Sequence, residues 1–137
     1  MIVVLDTNVV VSGILKPYGK AAAVLRMVIS GLLIPAFDQR LLAEYGEVLK
    51  RPTFDFPEET IQDFLAQIEG EGLLISSVPL PFSLPDPDDE PFLEVALSAH
   101  AKTLITGNKR HFPKKAYGKT KILSPTEFLE LFEIISS

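Results

Sequence analysis

Four apolar residues in succession, Ile2-Val3-Val4-Leu5, run directly into Asp6-Thr7-Asn8. Three of the four are β-branched, and so short an unbroken apolar run reads as a strand buried on both faces. Such strands belong to parallel sheets covered by helices, where the carboxyl end of the strand opens on the ligand crevice. A carboxylate, a hydroxyl and an amide are thereby delivered together to the mouth of that crevice. Asp-Thr-Asn is equally a plain turn that ends a strand. What decides between the two is whether the rest of the chain sends polar groups to the same place.

The remaining periodicities alternate between helix and strand. After a loop at Lys16-Pro17-Tyr18-Gly19, the residues Ala21, Val24, Leu25 and Val28 recur at helical spacing up to Ser30-Gly31, and Leu32 to Ala36 follows as a second strand. Asp38 is a good N-cap for a helix running to about Lys50 before Pro52. Pro57-Glu58-Glu59 opens another, with Ile61, Phe64, Leu65 and Ile68 on one face. Leu73 to Ile75 is a strand, 79–91 a proline-rich crossing, and Phe92, Val95, Ala96 and Ala99 an apolar helix face that includes His100. Thr103 to Thr106 and Lys121 to Leu123 are strands. Ser124-Pro125-Thr126-Glu127 is a capping box that launches a last helix through Phe128, Phe132 and Ile135. The alternation predicts a three-layer α/β/α sandwich with a mainly parallel central sheet, as one domain over 1–137. In that architecture Asp6 and the Thr106-Gly107-Asn108 turn both sit at strand carboxyl ends and face one crevice.

Composition narrows the function. At 47% hydrophobic, no apolar run approaches the ~18 residues of a membrane span, and the first residues lack the basic flank of a signal peptide, so a cytoplasmic protein is expected. With no cysteine, disulfides and thiolate metal sites are excluded. A net charge of −5 argues against generic attraction to nucleic acid, but the charges are sorted. From Pro52 to Ala101 there are eleven acidic residues and no lysine or arginine; from Val95 to Thr126 there are seven lysines or arginines and no acid. The acidic block culminates in Asp86-Pro87-Asp88-Asp89-Glu90. An acid cluster bordered by a cationic strip suits a site that holds a cation and an anionic polymer together.

Two acids outside Asp6 need placing. Glu44 falls at the edge of its helix's apolar face, beside Leu41 and Val48. In the 86–90 cluster, Asp88 or Asp89 would serve as a helix N-cap, but four carboxylates in five residues exceed what a cap requires.

Asp6-Thr7-Asn8 after the first strand, a helical Glu44, Asp86-Pro87-Asp88-Asp89-Glu90 opening a helix and Leu104-Ile105-Thr106-Gly107-Asn108 closing the next strand together resemble a PIN domain. The resemblance spans nearly the whole chain and is closest to the prokaryotic toxins of toxin–antitoxin pairs, the VapC-type ribonucleases. It implies an endoribonuclease using Mg²⁺ or Mn²⁺, an RNA substrate, an antitoxin partner and a homodimer. Asp6 and Glu44 match the family's first two acids. Counting eighteen residues back from the fourth position, Asn108, lands on Glu90, with Asp89 beside it as the other candidate and Asp88 as the cap. Thr7, Asn8 and Thr106 would orient the carboxylates, and Lys109, Arg110, Lys114 and Lys115, with His111, Phe112 and Tyr117 among them, would grip RNA. A longer Glu at the third position and a neutral Asn at the fourth leave a non-catalytic RNA-binding or scaffold PIN domain as the alternative.

The chemistry is coherent on residue types alone. Mg²⁺ favours carboxylates and water in near-octahedral geometry, and the ion acidifies water and neutralises phosphate charge. His100 and His111 are expected in structural or surface roles. A phosphatase with Asp6 as nucleophile would want a second Asp at position 8, where Asn8 stands. Leu80, Phe82 and Leu84, in a connection between prolines, are expected to be exposed and to form a contact surface.

Overall fold

The computed structural model describes residues 1–136. Six strands form one sheet: β1 (Ile2–Leu5), β2 (Ile34–Phe37), β3 (Leu73–Leu74), β4 (Thr103–Ile105), β5 (Ala116–Tyr117) and β6 (Thr120–Leu123), in the order β3-β2-β1-β4-β6-β5. All neighbours are parallel except the β5–β6 hairpin. In β1, Val3, Val4 and Leu5 are fully buried, so both faces of the central strand are covered. The helices form two groups. Helices α1 (Thr7–Leu15), α2 (Lys20–Ile29) and α6 (Pro125–Ser136) pack as one, and α3 (Gln39–Leu49), α4 (Glu58–Glu71) and α5 (Glu90–Ser98) as the other. The result is the α/β sandwich expected.

Helix α1 is the main addition to the pattern read from the sequence. Val9-Val10-Val11 and Gly13 are poor helix formers, so propensity gives no signal there. Burial of Val9 and Val10 in the core decides instead. Gly13 lets α1 meet α2 closely: a Cβ there would stand 2.4 Å from Leu25 Cδ1 and 3.1 Å from the Ala21 carbonyl. The second strand lies slightly later than its apolar run suggested, because Ile34 pairs with Ile2 and Leu33 turns into the core.

Helix ends follow the local chemistry. Asp38 caps α3 by accepting from the backbone N–H groups of Arg40 and Leu41. Ser124 and Glu127 form the reciprocal capping box at 3.1 and 2.9 Å. The side chain of Ile135 lies outside the described residues. His100 does not sit within α5 but ends it: at φ 53° it takes the left-handed position, with its N–H on the Leu97 carbonyl and Ala101 N–H on that of Ala96.

The crossing at 79–91 is also different. Leu84 is buried and Leu80 packs on the core, while Phe82 stacks on Tyr117 with ring centroids 5.7 Å apart. Leu84 and Leu80 are thereby withdrawn from the contact surface expected there, while Phe82 remains exposed as expected. Among the described residues, no helix is long and apolar enough to cross a membrane.

Candidate active site

The carboxyl ends of β1 and β4 lie side by side, with Leu5 in register with Ile105. The next residue on each strand supplies the centre of the site. Thr106, fully buried, donates from Oγ1 to Asp6 Oδ2 at 2.8 Å and accepts from the Asn108 N–H at 3.0 Å. Asn8 ties the same two strand ends together: its amide donates to Asp6 Oδ2 at 3.2 Å and accepts from Gly107 N–H at 2.8 Å. Asp6 occupies the N-cap position of α1, yet its carboxylate is spent on Thr106 and Asn8 and makes no cap bond.

Glu44 comes from α3. Its carboxylate accepts from the Thr7 hydroxyl, which joins α3 to the first turn of α1. Beneath them the Tyr45 hydroxyl, fully buried, donates to the Leu5 carbonyl at 2.5 Å and holds the strand end in place. Burial and the nearby carboxylates raise its pKa, so it stays a protonated donor. A tyrosine on an apolar helix face reads as core, and this tie left no mark in the pattern.

The third acid is set by a single 3₁₀ turn over Pro87–Asp89. Asp86 caps the turn, accepting from Asp88 N–H at 2.9 Å. Of the two residues expected to cap α5 it is Asp89, not Asp88, that holds the N-cap position, without a side-chain cap bond. The turn buries Asp89 facing Asp6, and leaves Asp88 exposed. Glu90 points elsewhere: its carboxylate accepts from Leu84 N–H at 3.0 Å and anchors the proline-rich crossing. The eighteen-residue spacing therefore lands on a residue that braces a loop, while its neighbour joins Asp6.

Asn108 reaches the crevice, but its side-chain amide meets His111 Nε2 at 3.0 Å. His111 Nδ1 in turn lies 3.1 Å from Asp89 Oδ2, out of line for a hydrogen bond, so that buried oxygen has no donor among the described residues. With the amide nitrogen donating to Nε2, the ring proton sits on Nδ1, the nitrogen nearer Asp89 but not aligned with its carboxylate. The sequence assigns His111 a structural or surface role within the basic loop. A 3₁₀ turn over Lys109–His111 folds it back across Asn108 into the acid cluster, and only its place three residues after a strand-end Asn hinted at that.

Asp6, Glu44 and Asp89 are all held above the usual carboxylate range. Burial is the largest cause in each. The charges of Asp6 and Asp88 also raise Glu44, and that of Asp6 raises Asp89, which is pushed up to about 6, whereas the Thr106 hydroxyl and His111 partly offset burial at Asp6. A donorless buried oxygen and three carboxylates short of positive charge are the chemistry of a hard-cation site. Carboxylate and amide oxygens are the donor types that a divalent metal takes. As the side chains stand, however, no three acids or histidines among the described residues share one ion's reach. Protein partners hold them, Thr7 on Glu44 and His111 beside Asp89.

The same electrostatics predict a pH dependence without metal. The folded acids bind protons more tightly than the unfolded ones, so their contribution is full below about pH 4 and is lost as pH rises through about 6. In EDTA, Asp89→Asn should therefore gain melting temperature over wild type between pH 4 and pH 7. Parallel profiles would mean the Asp89 carboxyl is not destabilised.

The basic strip is partly committed. Lys109 pairs with Glu127 at 2.8 Å, and Phe112 and Tyr117 are buried rather than presented. Arg110, Lys114 and Lys115 are exposed, with Lys114 Nζ 6.0 Å from the Phe82 ring centroid and 5.8 Å from that of Tyr117.

No curated protein matches the chain. Its fold is similar to that of a chain in a crystal structure of VapBC2 from Rickettsia felis bound to a DNA fragment from their promoter. The TM-score is 0.56 at 19% identity, covering 89% of this chain and 97% of that one. The family model described as PIN domain matches residues 2–110, which take in the strand-end Asp6, the helical Glu44, the 86–90 cluster and Asn108. The chain belongs to the PIN domain family.

Proposed function

We propose that this PIN domain is a metal-dependent endoribonuclease that hydrolyses RNA phosphodiester bonds with Mg²⁺ or Mn²⁺. The observation that carries the reading is the meeting of Asp6, Glu44 and Asp89, brought from three separate segments to one crevice with their pKa values raised together. These three would hold the ion, with Asn108 at the margin; Glu90, bonded to Leu84 N–H, is left to its bracing role. When bound, the ion would supply charge neutralisation at the phosphate and acidify water for attack on phosphorus.

The chain's own residues do the positioning. Thr106 and Asn8 fix one Asp6 oxygen, and Thr7 fixes Glu44, so the carboxylates keep their places as substrate arrives. Asp89 has no other fixed donor, and His111 beside it is the nearest group able to carry positive charge. Arg110, Lys114 and Lys115 face RNA, and Lys109 contributes less because Glu127 holds it.

We further propose that the protein acts in the cytoplasm as the toxin of a toxin–antitoxin pair. The single domain would span 1–137 and form homodimers. Support for an antitoxin partner is the shared fold with a VapBC2 complex. For the dimer, Ile29, Leu32, Leu74 and Val78 remain more than half exposed outside the proline-rich crossing.

One observation favours the alternative, a PIN domain that binds RNA without cutting it: as placed, no three acidic or imidazole groups among the described residues share one ion's reach. Chelation separates the two. Single-stranded RNA should be cut with Mg²⁺ or Mn²⁺ and left intact in EDTA; binding without cutting under both conditions would select the alternative.

A further inference from the structure

We infer that the pocket between α1 and α3 is a nucleobase subsite, seating a base of the RNA strand beside the acid cluster; this rests on the ribonuclease reading above. The open groove, about 400 Å³, is lined by Val11, Leu15, Val48 and Phe54, with Ser12 and Lys16 at its polar edge. That volume lies within the range of small-ligand pockets, and a mainly apolar wall with a few polar groups is their usual make-up.

Its position ties it to the chemistry. Thr7 and Asn8, which hold Glu44 and Asp6, also line the pocket. Val11 and Leu15 follow Thr7 at one and two helical turns, and Val48 follows Glu44 by one turn, so the groove continues the faces that carry the acids. A phosphate at the acid cluster thus places its neighbouring nucleoside against α1 and α3. The aromatic wall is already set. Phe54 stacks on Phe56 with centroids 5.3 Å apart and planes 9° from parallel, and Asp55 between them takes φ 51°, a left-handed turn that Asp tolerates.

Electrostatics favour the same occupant. An overall charge of −5 gives RNA no general attraction, so its hold beside three carboxylates must come from local cations and from contacts insensitive to charge. Lys16 is exposed, and no ion pair among the described residues engages it, which leaves it for a phosphate. Stacking on an aromatic ring supplies the rest and accepts any base.

The test uses the full chain in EDTA, an eight-nucleotide single-stranded RNA and an abasic ribose-phosphate oligomer of the same length. Wild type should bind the RNA about tenfold more tightly than the abasic oligomer, and Phe54→Ala should remove about that factor for the RNA alone. The chain has no tryptophan, so Phe54→Trp makes a single indole reporter on a conservative replacement. Its affinity should hold, and its emission should be quenched by the RNA and not by the abasic oligomer. No RNA binding by wild type, equal losses for both oligomers in Phe54→Ala, or an indole unmoved at saturating RNA would each overturn the subsite; the last would also be the result if the pocket received a protein side chain instead. Cleavage with Mn²⁺ is scored separately: cutting without quenching removes the subsite and keeps the ribonuclease, whereas quenching without cutting does the reverse.

Discussion

Asp6→Asn should abolish RNA cleavage and the divalent-ion stabilisation together, while leaving the metal-free protein at least as stable as wild type. Asp6 is buried, and desolvation is the main reason its pKa is raised, so at neutral pH its ionised form costs folding stability. An asparagine removes that cost and still offers one oxygen to the Thr106 hydroxyl. For wild type, an ion at a hundredfold excess over its Kd would add about 2.7 kcal/mol, or roughly 5–10 °C for a domain of this size. The variant should lose that shift and at least about 100-fold in cleavage, since groups that merely orient a ligand already cost about 10- to 100-fold. Equal metal shifts in the two proteins would place the ion elsewhere.

Asp6 and Glu44 were legible because each sits where a simple rule applies, one at the end of a doubly buried strand and the other at the edge of an apolar helix face. Their supports Thr7, Asn8 and Thr106 were legible for the same reason, being neighbours of strand ends. Helix α1 was not, because its three consecutive valines argue against a helix, and what favours it is tertiary: burial of Val9 and Val10 in the core and close packing against α2 at Gly13. Leu80 and Leu84 misled in the opposite sense: apolar residues between prolines look exposed, yet a loop braced by Glu90 and Glu94 on the backbone N–H groups of Leu84 and Leu80 turns them inward. His111 depends on a 3₁₀ turn of three residues, which has no periodicity to detect. Where site geometry is set by turns, residue counting runs out.

That limit is sharpest at the third acid, and it yields the second large effect expected. Asp89→Asn should lose cleavage by at least about 100-fold, whereas Glu90→Gln should keep it within about threefold of wild type. The two residues are adjacent, so spacing from Asn108 cannot separate them, but the turn capped by Asp86 sends their side chains in different directions. Asp89 is buried near Asp6, and the one group close to its buried Oδ2 is His111 Nδ1 at 3.1 Å, out of line for a hydrogen bond, which leaves that oxygen open to a cation. Glu90 is satisfied by Leu84 N–H, and glutamine can accept the same bond, so the expected loss is stability of about 0.5–1.5 kcal/mol at most. Cleavage and melting measured on both variants decide the assignment. An inactive Glu90→Gln beside an active Asp89→Asn would mean that the crossing at 79–85 releases Glu90 when metal and RNA bind, and that the spacing had identified the ligand after all.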